Sequence, residues 1–289
     1  MIGRAGIFLL KAACLWIALF VGSIAASFVV PHANYAPRVP LDGPLGMQAA
    51  VAIVNGLFAL MIAALAALAR FRGVRLAGFL YVTVFGTATV MMQSESLFFK
   101  DSLQISAGAV WEGVGYAALS YLTCACVAAL LFRPVPANAP PLHRGLIWRG
   151  AVTIVAYLIT YFVFGYTLIW ERADLRAFYH DGREIVPALV LAFQVFRGAL
   201  WALLALLITR SLRGSRALCA VMTALAFTAF TATQLLYPNP WMPWYVRQAH
   251  LLELTCSSML HGALAGWLLS ASRREQPFHS KLTGETPLT

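Results

Sequence analysis

Residues 46–69 read GMQAAVAIVNGLFALMIAALAALA, and residues 70–75 read RFRGVR. The first run holds no charged side chain. Coiled as an α-helix it spans about 36 Å, enough to cross a hydrocarbon core of about 30 Å. The arginines that follow stop it at a headgroup surface. Seven further stretches have the same character, at about 6–30, 76–99, 109–132, 146–170, 187–209, 217–237 and 246–270. Between them lie breaks rich in Pro, Gly and charge, such as RPVPANAPPLHRG and YPNPWMP. Of the 289 residues 61% are hydrophobic and 11% charged. A soluble domain carries about 25% charge, so too little is present to coat a globule. A membrane barrel shows short alternating segments, which are absent. The reading is an all-α polytopic membrane protein of eight transmembrane helices.

The net charge of +10 does not suggest nucleic acid, because the basic residues sit in short loops and form no patch or stripe. With the N-terminus in the cytoplasm, fourteen Lys and Arg fall inside, among them Arg70, Arg72, Arg75, Arg210, Arg213 and Arg216. Six fall outside (Arg38, Lys100, Arg172, Arg176, Arg183, Arg247), and Arg197 lies within a helix. This bias places both termini in the cytoplasm of a bacterial-type inner membrane. The first stretch resembles a signal peptide but is long enough to span, so it is read as retained. Cys14, Cys124, Cys126, Cys219 and Cys256 all lie in apolar stretches and read as small buried hydrophobes.

A shift of 141 residues superposes polar landmarks. Arg72-Gly73-Val74-Arg75 meets Arg213-Gly214-Ser215-Arg216, Thr87-Ala88 meets Thr228-Ala229, Gln93 meets Gln234, and Glu112 meets Glu253. With small loop adjustments Asn55-Gly56 meets Arg197-Gly198, and Leu10-Lys11 meets Trp148-Arg149. The expectation is two parallel four-helix repeats, residues 1–140 and 141–272, followed by a disordered cytoplasmic tail, 273–289. Copies with four spans each return to the same side and relate by an axis along the membrane normal.

Several polar residues stand where oil should reject them. Glu95, Glu112, Arg197, His250 and Glu253, with Asn55, Gln93, Gln194 and Gln234, fall in the outer half of the bilayer, in a band of about 15 Å. Helical spacing groups them: His250, Glu253, Ser257 and His261 share a face of the eighth segment; Glu112, Tyr116, Ser120 and Thr123 share one of the fourth. Gln194, Arg197 and Trp201 do so on the sixth, and Thr153, Tyr157, Thr160 and Tyr161 on the fifth. A charge at a helix centre costs about 2.5–3.5 kcal/mol, so these stripes should turn inward onto one hydrated pocket.

The leading reading is movement of a small solute or ion through that pocket, with Glu112 and Glu253 as symmetric proton sites and Arg197 as counter-ion. A second reading is an intramembrane enzyme in which His250 and Glu253, completed by Glu112 or Glu95, hold a divalent metal that activates water; otherwise no cofactor is expected. A third is a non-catalytic assembly subunit, partnered by copies of itself or by another membrane chain. His250 and His261 share a helix and cannot sandwich a haem. No glycine-rich phosphate loop or nucleophile elbow is present.

Overall fold

The computed structural model describes residues 3–33, 37–140, 142, 145–179 and 186–270. Its long helices are α1 (Arg4–Ser27), α2 (Met47–Leu68), α3 (Val74–Phe98), α4 (Ala107–Leu131), α5 (Leu146–Trp170), α6 (Pro187–Ser211), α7 (Arg216–Leu236) and α8 (Trp244–Leu269). Short helices Lys100–Leu103 and Ala173–Tyr179 sit in the α3–α4 and α5–α6 connections. The first seven long helices are long and apolar enough to cross a membrane. The eighth, although 26 residues long, is not among them: Arg247, His250, Glu253 and His261 lower its hydropathy. The tail expected to be disordered, residues 273–289, lies outside the described residues, as do His143, His180 and His279.

Local chemistry sets the helix ends. Ser106 Oγ accepts a hydrogen bond from Ala109 N at 3.1 Å and opens α4; Ser215 Oγ accepts from Leu218 N at 3.2 Å and opens α7. Pro187 opens α6, where its missing N–H costs nothing. Gly73 (φ +58°) and Gly214 (φ +142°) turn the chain into α3 and α7, a conformation that disfavours any side chain. The middle of α3, Gly86–Val90, is a π-helical turn, as is the end of α5, Tyr166–Trp170. Near the first of these, Ala88 O takes a hydrogen bond from Gln234 Nε2 of α7 at 2.9 Å.

Helix α1 packs on α2 and α4, and α3 on α4; likewise α5 packs on α6 and α8, and α7 on α8. The two groups meet through α2 with α7 and α3 with α6, and α3 also touches α7. Phe58 and Phe230 pack edge to face across this seam, centroids 5.0 Å apart. Small residues draw helices close. A Cβ on Gly262 of α8 would stand 2.7 Å from Ala224 Cα, and one on Gly22 of α1 would stand 2.6 Å from Ser120 Cα.

The two ends of the bundle differ. At the basic end the chain after α2 pairs antiparallel with the chain after α6: Arg70 N donates to Ser211 O and Arg213 N to Leu68 O, both at 2.8 Å. At the opposite end, Arg247 is fully buried and staples the connections. It donates to Met242 O (3.0 Å), Leu235 O (3.2 Å), Asp42 Oδ1 (2.8 Å) and the backbone carbonyls of Tyr237 and Asp42. The 37–46 connection is thereby held over the second group of helices. Partial desolvation pushes the Asp42 carboxyl up, but the Trp244 N–H and Arg247 outweigh it and hold it below the usual carboxylate range. A depressed carboxyl stabilises the fold above its unfolded value of about 3.9. That contribution fades as pH falls through the lower folded value, so this staple is intact at neutral pH.

Gly262→Leu is expected to cost about 1–3 kcal/mol by wedging α8 off α7. Gly78→Ala, which meets nothing within 4 Å, should be neutral or slightly stabilising. Thermal unfolding of the two variants in one detergent checks the contrast.

Candidate functional site

Helices α3, α5, α6, α7 and α8 enclose a cavity of about 680 Å³. That volume suits a small organic molecule. The cavity runs from the capped end, at Leu103, Tyr179 and Met242, down to Trp201, Phe227 and His261. Its walls are largely aromatic, and its polar groups fall into three sets.

The first set surrounds Arg197 of α6, which is 3% exposed. Its guanidinium pairs with Glu95 of α3 at 2.8 Å and donates to Met91 O at 3.0 Å and Gln194 Oε1 at 3.1 Å. Gln194 Oε1 also accepts from Tyr157 OH at 2.7 Å, and Glu95 Oε1 from Tyr161 OH at 3.3 Å. A buried guanidinium is tolerable only with this many acceptors around it. Arg197 Nε and Gln194 Nε2 nevertheless find no partner among the described residues.

The second set is a relay. Tyr179 OH lies 2.6 Å from His250 Nε2, and His250 Nδ1 lies 2.7 Å from Glu253 Oε2. Burial first, then the nearby charges of Glu253 and Glu95, hold the Tyr179 phenol well above its ordinary value. It therefore stays protonated, and the contacts with Tyr179 and Glu253 occupy both ring nitrogens of His250. Glu253 is 5% exposed and lines the cavity, and no other hydrogen bond is made to its carboxylate among the described residues.

The third is His261, four helical residues beyond Ser257 and 2% exposed. Neither ring nitrogen has a hydrogen-bond partner among the described residues. Its neighbours are aromatic: Tyr157 at 5.4 Å, Phe227 at 6.1 Å and Trp201 at 6.4 Å between centroids. A buried imidazole with both nitrogens bare is costly unless something else supplies a partner.

The cavity is open on one flank. Helix α6 packs tightly against α5 around Gly198, whose added Cβ would lie 3.0 Å from Tyr157 and 3.1 Å from Ile154. Beyond that point the π-helical end of α5 packs against α8 and the short Ala173–Tyr179 helix. Phe162, Val163 and Tyr166 line the cavity yet are 43%, 51% and 62% exposed.

Of the residues singled out in the sequence, Glu95, Arg197, His250 and Glu253 line this one cavity, and Gln194 stands directly behind Arg197. The other four lie elsewhere. Glu112 is on the far side of α3 from the cavity: α4 turns its polar stripe toward α1, where Ser120 meets Ser23 at 2.9 Å. Glu112 there binds His32 Nδ1 at 3.0 Å and Ala33 N at 2.8 Å. The expected convergence of Glu112 and Glu253 on one pocket is thus corrected. The trio of His250, Glu253 and Glu112 is not assembled around one point, since Glu112 binds His32 and Ala33 N and does not line the cavity. Among the described residues no group of three or more His, Cys, Asp or Glu side chains is placed to hold a metal ion. Asn55 accepts a weak 3.4 Å bond from Tyr237 OH, Gln234 spans Ala88 O and Phe230 O, and Gln93 lies outside the lining.

Tyr157 and Tyr161 belong to a polar stripe visible on the fifth segment, and His261 to the stripe on the eighth. Tyr179 had no such signal, because only the fold brings the α5–α6 connection back over α8. No family model, characterised protein or solved structure matches the chain.

Arg197→Met should cost about 3 kcal/mol by stranding Glu95. Adding Glu95→Gln to it should restore most of that loss. A double-mutant cycle on thermal unfolding measures the coupling, and additive losses would contradict the pairing.

Proposed function

We propose that the protein is a proton-coupled carrier for a small solute, with eight spans, lying in a bacterial inner membrane with both ends in the cytoplasm. The observation that carries this reading is the meeting of Glu95, Arg197, His250, Glu253 and bare His261, from α3, α6 and α8, on one cavity inside an apolar bundle. Charges so placed are expensive and are otherwise avoided in membrane helices. Helix α8 counts as the eighth span because its polar residues Glu253, Ser257 and His261 are turned inward, while Leu252, Leu260, Leu264 and Trp267 are exposed for lipid.

Two parallel four-helix repeats give the architecture its logic. The packing of α1, α2, α3 and α4 recurs as that of α5, α6, α7 and α8. The contacts between the groups also come in matching pairs, α2 with α7 and α6 with α3. The reciprocal bonds of Arg70 and Arg213 across the Ala69–Leu212 bridge lie where a twofold axis along the membrane normal would pass. Thr87 is buried and its counterpart Thr228 half-buried, and the hydroxyl oxygen of each is buried without a partner among the described residues. Such repeats are a frequent plan in carriers, with the solute site near the seam. The first group instead joins α1 to α2 through Trp16 bonded to Ala52 O at 2.9 Å, and α1 to α4 through the Ser23–Ser120 contact.

The relay supplies the proton step. His250 and Glu253 exchange a proton with the cavity, beside Glu95, Arg197, Tyr157, Tyr161, Tyr166, Tyr179 and His261, the other titratable groups on its walls among the described residues. Proteoliposomes on a solid-supported membrane test this. A jump from pH 8.5 to 5.5 should displace charge as the pair loads, and Glu253→Gln should lower that charge at least fivefold. No displaced charge in the unaltered protein, or an unchanged signal after Glu253→Gln, would contradict the coupling.

A further inference from the structure

We infer that the solute is an organic cation with an apolar body, drawn sideways from the bilayer through the gap between the outer parts of α5 and α6. This rests on the carrier reading only in taking the cavity as the solute site. The argument from charge comes first. Among the described residues two carboxylates, Glu95 and Glu253, line the cavity against one guanidinium. Arg197 sits on Glu95 at 2.8 Å, so that pair is spent internally. Glu253 meets His250 Nδ1 with one oxygen and lines the cavity with no guanidinium or ammonium of the described residues paired to it. A solute without positive charge leaves this carboxylate uncompensated in an apolar enclosure, and an anion adds like-charge repulsion. A cation supplies the missing partner.

The walls argue the same way. Tyr157, Tyr161, Trp170, Tyr179, Trp201 and Phe227 present aromatic surface around the carboxylate. Aromatic faces attract an ammonium group and accept the apolar body attached to it. The deep end then offers His261, more than nine-tenths buried, with two unpartnered nitrogens. An imidazole nitrogen free to accept suits an N–H of the solute, and the aromatic walls suit the apolar body that a bare metal ion lacks.

Access is the third element. Phe162, Val163 and Tyr166 line the cavity and are exposed along the flank of the bundle. An apolar body partitioned into lipid meets this flank directly.

Calorimetric titration of the full chain in neutral phosphatidylcholine nanodiscs at pH 7, with empty nanodiscs as reference, tests the inference. The probes are hexylammonium, hexanol and hexanoate, which share one chain and differ in charge. Hexylammonium should bind at least tenfold more tightly than either other probe. Glu253→Gln, close in shape and checked for unchanged thermal stability, should bring it to the level of hexanol. Comparable binding of the three probes by the unaltered protein, or a preference surviving Glu253→Gln, would overturn it. Hexylammonium binding without charge displacement in the pH-jump measurement would uphold this inference and sink the carrier; charge displacement without hexylammonium preference would do the reverse.

Discussion

The structure turns on the cost of a charge in oil. Arg197 is all but inaccessible in the middle of a helix whose neighbours are Phe, Leu and Ala. It is tolerable only because Glu95, Met91 O and Gln194 surround it, and each of these must be brought from a defined place. Glu95 and the Met91 carbonyl come from α3, a helix of the other four-helix group. The ion pair therefore fixes how α3 meets α6, and with it one wall of the cavity. A guanidinium suits this role because its planar fork serves several acceptors at once.

The same constraint explains why the cavity holds the polar groups it does. A protein in lipid has no water to satisfy stray donors, so an unpartnered polar side chain is costly unless it faces a space that supplies a partner. Gln234 finds Ala88 O beside the π turn of α3, and Glu112 finds His32 and Ala33 N. His261 finds neither, and it faces the cavity. The distinction between a residue that locks helices and one that awaits a ligand thus rests on whether its atoms are already used.

Much of the helix plan was legible in the chain, because a bilayer demands long uncharged runs and tolerates charge only at their ends. The stretch 146–170 and helix α5 coincide, and the Arg-Gly turns at 72–73 and 213–214 are where the chain reverses. The eighth segment was harder to class, since the residues that make it chemically interesting also depress its hydropathy. Position along a helix was readable from residue counting, but the direction a side chain faces was not. Glu112 and Glu253 coincide under the 141-residue shift, yet Glu112 binds His32 and Ala33 N while Glu253 lines the cavity. Arg247 read as one more basic loop residue, and nothing local marked it as the buried staple of that surface. Tyr179 was likewise invisible, because its partner His250 is far away in sequence.

The account depends most on the cavity being a real, water-reachable space among α3, α5, α6, α7 and α8. Cysteine accessibility measures this directly. In protein whose native cysteines are replaced by alanine, Ser257→Cys should react with a small methanethiosulfonate added to intact proteoliposomes, because Ser257 lines the cavity. Ser120→Cys, on the stripe packed against α1, should stay unreactive in the same preparation. Labelling at position 120 but not at 257, or at neither, would contradict the account.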